Sequence, residues 1–265
     1  MSETSPTSLH VSVAQHIAIV TLDRPPVNAV DRATLREIRD IFSSFDVRRD
    51  VRVAIFTAAG SRAFMAGVDL RSFENQSNTE EVPAPYVTDS GRIARDAMWA
   101  ITDCAVPVIG AINGPAIGAG LAFAACCDIL LASENATFGA TEINVGLLGA
   151  SSHLSLLVGH HKAREMFFTG EVVSAAELHR LGAVRAVVPT KQLMEVALEL
   201  AAVLALKSPI ALRLAKESMN RVEGVALKDG YRTEQDYTTR LQQFEDSGEA
   251  RRAFLEKRAP EFRWR

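Results

Sequence analysis

The chain has 265 residues, of which 48% are apolar, 29 are Lys or Arg and 32 are Asp or Glu, giving a formal net charge of −3. The apolar share supports a packed core and excludes wholesale disorder, and the near-balanced charge excludes a generally basic nucleic-acid binder. Three cysteines (Cys104, Cys126, Cys127) are too few for a disulfide framework, and two of them adjoin, which is no zinc spacing; free buried thiols in a reducing cytoplasm are expected.

Met1–Ser8 holds Ser and Thr, lacks Lys and Arg and leads into no apolar run, so a secretory leader is not expected. Residues 9–22 (LHVSVAQHIAIVTL) alternate and are β-branched, which predicts two strands with a break near Ala14–Gln15. Arg24-Pro25-Pro26 forbids a helix there and forces an extended turn. Asp31 is placed to cap a helix in which Leu35, Ile38, Ile41, Phe42 and Phe45 recur at three- and four-residue spacing. Val51–Thr57 reads as a buried strand, Arg71–Ser90 as a polar surface loop, Gly91–Asp103 as a helix and Val106–Ile112 as a second buried strand. Gly114–Gly120 (GPAIGAG) then leads into a helix over Leu121–Cys127 and a strand over Asp128–Ser133. Pro115–Ala132 is apolar over 18 residues but holds two glycines and Asp128, so a buried helix running into a strand fits better than a membrane span.

Ser174 and Glu177 match a capping box for a short helix ending at Gly182, and Val184–Pro189 is the last clear strand. Beyond it, Thr190 is expected to cap a helix, and Ser208-Pro209 places a cap before a helix-initiating proline. Residues 209–257 read as helices with Leu212, Met219 and Val222 on one side. This divides the chain into an α/β core over residues 1–190, carrying the site, and a helical C-terminal region over 191–265 with no linker between them.

The glycines after the second strand invite a nucleotide reading, which fails in detail: no G-x-G-x-x-G follows Gly118, and no G-K-[ST] closes the loop. Gly118 and Gly120 permit either tight packing or close approach of a ligand, with the Ala119 amide at a positively polarised helix start. Arg62–Leu70 (RAFMAGVDL) is a second loop of small residues, and two such loops can direct two amides at one oxygen. Glu142 follows a β-like run among Ile143, Val145, Leu147 and Leu148; it is either a solvated surface residue or a partly buried acid–base group. The six histidines form no metal motif, no G-x-S-x-G elbow is present, and no metal is expected.

In combination these segments resemble the enoyl-CoA hydratase/isomerase (crotonase) family. The resemblance rests on Leu22–Ala29 (LDRPPVNA), Arg62–Leu70, Pro107–Gly120 (PVIGAINGPAIGAG), Cys127–Ile129 and Phe138–Glu142 (FGATE), in that order. Phe168–Gly170 and Phe254–Arg258 also match, so that it spans about residues 9–258. It implies a spiral of ββα units with a C-terminal helical region that builds a homotrimer or a dimer of trimers. It implies an acyl-CoA thioester as substrate, with coenzyme A part of that substrate and no separate cofactor; RNA binding, known for some relatives, is a further option that the mixed charge of the helices disfavours, and neither nucleic acid nor membrane is expected as partner. Matched by position, the Val68 and Ala119 amides would form the oxyanion hole, and Pro26, Val27, Ala66, Asp69 and Leu70 would lie along the CoA; Arg71 is either a phosphate contact or a solvated surface residue. Hydratases of the family carry glutamates at the positions of Ala122 and Glu142; here only Glu142 remains. The loop Gly146–His153 is also about two residues short. The expectation is therefore an enzyme of the hydratase/isomerase class with one glutamate as acid and base. A weakly catalytic acyl-CoA binder and another single-glutamate reaction, a lyase or hydrolase, are the alternatives.

Overall fold

The structure, a computed structural model, describes residues 7–69, 85–86 and 89–265. Strands β1 (Leu9–Ala14) and β2 (Ile17–Leu22) form an antiparallel hairpin. Its two turn residues, Gln15 and His16, both take left-handed conformations (φ 50° and 67°), the turn geometry that matches strand twist. Helix α1 (Arg32–Ser44) begins where Asp31 accepts the Thr34 amide at 2.8 Å, and its three- and four-residue spacing buries Leu35, Ile38 and Phe42. Strand β3 (Val53–Ala58), helix α2 (Arg92–Thr102) and strand β4 (Val108–Ile112) follow. Next come the short β5 (Ala116–Ile117), α3 (Ala119–Ala125), β6 (Ile129–Ser133) and β7 (Thr137–Gly139). After a 3-10 turn at Glu142–Val145 the chain forms α4 (Ser151–Val158), α5 (His160–Thr169), β8 (Val172–Ser174), α6 (Ala175–Arg180) and β9 (Val184–Val188).

The larger sheet has the order β1-β2-β3-β4-β6-β9 and is parallel from β2 onward; the smaller one is β5-β7-β8. The chain thus adds a strand to the large sheet, crosses to the small one and returns through a helix, which is a spiral of strand–strand–helix turns. Parallel strands are covered on both faces, and residue parity decides which side each residue joins. Ala54, Phe56, Val108, Ile112 and Leu130 enter the interior between the sheets with Phe42, Phe64 and Phe123. Ile17, Val53, Ile55, Ile109, Ala111 and Leu131 face the opposite way.

That second face is covered by α7 (Leu193–Ala205), through Leu193, Ala197, Ala201 and Ala205. The first helix beyond residue 190 is therefore a layer of the core. Thr190 does not cap it: residues 190–192 form a 3-10 turn after Pro189, and the helix starts at Leu193. Helix α3 likewise starts two residues before the expected Leu121, because the left-handed Gly118 already turns the chain at that point. Strands β3 and β4 each begin two residues later than the apolar runs predict.

Helix α8 (Pro209–Val222) opens on Ser208, which accepts the Ala211 amide, with Pro209 in its first turn. Of the side that carries Leu212, Met219 and Val222, the first and last are half-buried and Met219 is open. Ile210, Leu214, Lys216 and Ser218 are turned inward, and Met219 is 70% exposed, because Lys216 and Arg213 dictate the docking. The Lys216 ammonium lies 2.6 Å from Asp128 and donates to the Ile101 and Val106 carbonyls; Arg213 donates to those of Phe45, Asp46 and Arg48. Helices α9 (Leu227–Gln242) and α10 (Glu245–Glu256) leave Leu227 87% and Phe254 82% exposed. Cys104, Cys126 and Cys127 are buried and unlinked, and burial pushes the thiols of Cys104 and Cys126 to about 11. No helix among the described residues is long and apolar enough to cross a membrane.

Candidate active site

Two loops leave the C-terminal ends of β3 and β4 and lock together. The Phe64 and Met65 amides donate to the Pro115 carbonyl at 3.0 and 3.2 Å, and the Ile117 amide returns a bond to Met65 at 3.0 Å. The approach is closest at Gly120, where any side chain would overlap the Met65 carbonyl. Residues 67–68 are thereby brought beside the start of α3: a Cβ on Gly67 would stand 3.9 Å from the Ala119 nitrogen. Val30 donates to the Gly67 carbonyl and accepts the Asp69 amide. Successive amides of an extended segment point to opposite sides, so the Val68 amide is directed away from Val30. Among the described residues, neither the Val68 nor the Ala119 amide donates to another group.

Glu142 arrives from the small sheet. The Gly118 amide donates to the Gly139 carbonyl at 2.8 Å, which ties the start of α3 to the segment leading to Glu142. The carboxyl then rests on Gly118, whose φ of 57° suits glycine; a Cβ there would lie 3.2 Å from Glu142 Oε1. From the other side comes Gly149, where a Cβ would lie 2.9 Å from the same oxygen. Glu142 is half-buried, and burial holds its carboxyl above the usual range. Its Oε2 is buried without a hydrogen-bond partner, a state that costs about 1–3 kcal/mol until a donor is supplied. The solvated-surface alternative for Glu142 is thus excluded. Around it Ile143, Val145, Leu147 and Leu148 are exposed.

Ala122, on the first turn of α3, is 1% exposed and belongs to neither apolar cluster of the core, whereas its neighbours Leu121 and Phe123 do. The segment of Pro26 and Val27 lies against the first loop through the bond from the Ala66 amide to the Val27 carbonyl, at 3.1 Å. Pro26 lines a cavity of about 390 Å³ with Asp23, Asn28, Gly60 and Arg62. Asp69 pairs with Arg24 at 3.0 Å, and Leu70 and Arg71 lie outside the described residues. A larger hollow of about 760 Å³ lies elsewhere, beneath α8, with Arg213 and Trp264 in its wall.

Sequence reasoning missed three contributors. Arg24 ties both Asp31 and Asp69. Asn28 is buried and donates to the Ala59 and Ala63 carbonyls, at 3.1 and 2.9 Å, which fixes the root of the first loop. Gly149 flanks the glutamate. Arg24 and Asn28 both sit inside the LDRPPVNA segment, so a signal for them was present; their partners were not visible in it. Among the described residues no group of three or more His, Cys, Asp or Glu is placed to hold a metal ion.

Comparison with known proteins shows the family. The family model for enoyl-CoA hydratase/isomerase matches residues 12–265. The chain is 39% identical, over 91% of its length and 95% of the relative's, to (7aS)-7a-methyl-1,5-dioxo-2,3,5,6,7,7a-hexahydro-1H-indene-carboxyl-CoA hydrolase of Mycobacterium tuberculosis. It is 34% identical to 2,3-dehydroadipyl-CoA hydratase of Escherichia coli, over 97% of this chain and 99% of that one. Among solved structures, an enoyl-CoA hydratase from Bacillus anthracis superposes with a TM-score of 0.88 at 32% identity, covering 96% of this chain and 98% of its own. The family model, the relatives and the shared fold lead to one conclusion: the chain belongs to the enoyl-CoA hydratase/isomerase, or crotonase, family and is an acyl-CoA-processing enzyme of that family.

Proposed function

We propose that the chain stabilises a thioester enolate, with Glu142 as its single acid–base group. The observation that carries this reading is the convergence of a half-buried carboxyl, with one unpartnered oxygen, on the peptide that presents the Ala119 amide. The thioester oxygen is held by the Val68 and Ala119 amides, and the CoA runs along Pro26, Val27, Ala66, Asp69 and Leu70. Each amide donor of such a pair contributes about 3 kcal/mol when the oxygen gains charge. Glu142 removes a proton at C2 of the acyl group and returns it at C4, which moves a double bond. The carboxyl needs no second group for that step, whereas hydration also needs water to be oriented. Coenzyme A enters and leaves with the substrate, and the reading requires no resident cofactor. Three chains associate through the helical C-terminal region.

A second reading is favoured by Ala122 and by the names of two relatives, the hydrolases of Mycobacterium tuberculosis and Rhodococcus jostii, at 39% and 37% identity. In it Glu142 takes a proton from water, the resulting hydroxide adds to a ring ketone of a cyclic 3-oxo-acyl-CoA, the adjacent ring carbon–carbon bond breaks to leave a thioester enolate that the same two amides hold, and Glu142 returns the proton to C2. One experiment separates the readings. A panel of linear 2- and 3-enoyl-CoA and cyclic oxo-acyl-CoA thioesters is incubated with enzyme and followed by mass spectrometry, with free thiol measured in parallel. Isomerisation leaves mass unchanged but shifts the chromatographic retention of the thioester, and addition of water to a linear enoyl group marks a hydratase. Mass gain confined to cyclic substrates marks the hydrolase, and binding with no turnover of any substrate marks a non-catalytic binder.

A further inference from the structure

The carboxyl of Glu142 is gripped by backbone from two sides. On one side is Gly118, which belongs to the same peptide unit as the Ala119 nitrogen. On the other is Gly149, where a Cβ would meet Oε1 at 2.9 Å, Cδ at 3.5 Å and Cγ at 3.6 Å. The loop that delivers Gly149 starts at the glutamate itself. The Leu147 amide donates to the Glu142 carbonyl at 3.0 Å, and Gly146 and Ala150 are both left-handed, with φ of 71° and 58°. These two reversals fold residues 146–150 back over residue 142. A non-glycine residue rarely takes that conformation, so Ala150 marks a place where the surrounding structure imposes the path. A side chain at residue 118 or at residue 149 would therefore crowd the same carboxyl oxygen.

We infer that Gly149 is a positioning residue: its missing side chain leaves the space that the Glu142 carboxyl occupies beside Gly118, and so sets where the proton-transferring oxygen stands relative to the Ala119 amide. The inference rests on the reading of Glu142 as the acid–base group and adds what sets its place. A methyl group at 149 would stand 2.9 Å from Oε1, closer than contact allows, so the carboxyl must shift to admit it. Gly149 itself is not left-handed, so alanine fits its backbone, and the effect of the substitution arises at the carboxyl.

The test compares Gly149→Ala with Gly159→Ala. The latter strains a positive-φ position between α4 and α5, meets nothing within 4 Å and lies outside the reversal over residues 146–150. On the best acyl-CoA substrate, Gly149→Ala is expected to lower kcat on the order of 10²-fold, the scale of a misplacement of about 1 Å, with KM within a factor of about two. Its acidic limb should move to lower pH as the carboxyl gains solvent. Gly159→Ala should reduce thermal stability and leave the limb in place. Shortening the glutamate supplies a rescue: Glu142→Asp should harm activity less in the Gly149→Ala background than alone. A readout independent of turnover is the infrared carboxyl band that disappears in Glu142→Gln, followed against pH. If that titration moves in Gly149→Ala but no acyl-CoA is turned over even by the unaltered enzyme, the positioning stands and the proposed activity fails. A folded Gly149→Ala protein with unchanged titration overturns the inference.

Discussion

The guanidinium of Arg24 lies 3.0 Å from the carboxylate of Asp69 and 2.9 Å from that of Asp31, while it donates to the Ala29 carbonyl. Asp69 directly follows Val68, and Asp31 caps α1. One side chain from the Pro-Pro segment thus sets both the start of the first helix and the end of the loop that presents the Val68 amide. Asp69→Asn removes the charge of one arm. A partly exposed pair of this kind contributes about 1 kcal/mol or less to stability, so the melting temperature should change little. The cost should fall on function, as a drop of about tenfold in kcat/KM, because misplacing a group far from the reacting atoms is enough to lower rate. Steady-state kinetics and a thermal melt on the same preparation check both halves.

Glu142→Gln should retain acyl-CoA binding and lose about 10²–10⁴-fold in rate, the usual contribution of a positioned acid–base group. The pH dependence of stability should run the other way. Burial raises the folded-state pKa of Glu142, so with rising pH the unfolded chain ionises first and the native state loses stability through the interval up to the raised value. The Gln variant escapes that loss. It should be more stable than the parent at neutral pH, and the difference should vanish below the ordinary carboxylate range. Denaturant titrations at acid and neutral pH would show the crossover.

Lys216 is 5% exposed, with Asp128 and two backbone carbonyls as its acceptors. Asp128 also accepts the Val108 amide at 2.7 Å. Lys216→Met would leave two carbonyls and one carboxylate without their donor, for a loss of about 3 kcal/mol. Urea unfolding should show a lower midpoint with an unchanged slope.

At position 122 the side chain is closed from solvent, so the carboxyl of Ala122→Glu would be introduced into a buried space. Overpacking there is expected to cost about 1–3 kcal/mol, and burial with Glu142 near the same turn should raise the pKa of one of the two carboxyls. In folded protein the product ratio should move toward hydration of a short 2-enoyl-CoA, and the pH–rate profile should change with it. An unchanged ratio and profile would mean that residue 122 does not face the reacting carbons.

The exposed Leu227, Phe254 and Leu255 on the last helices are expected to be covered by neighbouring copies. Sedimentation at micromolar concentration should give a trimer or a hexamer. Replacing Leu227 and Phe254 together by Glu should release monomers; a stable monomer in the parent protein would refute the assembly.

The hairpin, α1 and the two glycine-bearing loops were legible because their signals are local: alternation over residues 9–22, Asp31 ahead of a periodic run, Ser208 before Pro209. The position of Glu142 was legible through its motif, but its environment was not. Gly149 presses on it across a reversal that depends on two left-handed residues, one of them an alanine with no sequence mark. The inward side of α8 was not legible for a related reason. Apolar spacing put Leu212, Met219 and Val222 on one side without saying what covers it, while the docking rests on Lys216 and Arg213, which find partners 88 and more residues away.

The three cysteines give the molecule a built-in recorder of its own opening. With the Cys104 and Cys126 thiols held near 11 and the Cys127 thiol also raised, almost none of the reactive thiolate exists in the folded chain at neutral pH. An alkylating reagent should therefore mark these sites only when the interior is breached. Cys104 lies beside the Lys216 dock, and Cys127 just ahead of β6. The order in which the two acquire label would reveal whether the last helices detach before the sheets come apart or together with them.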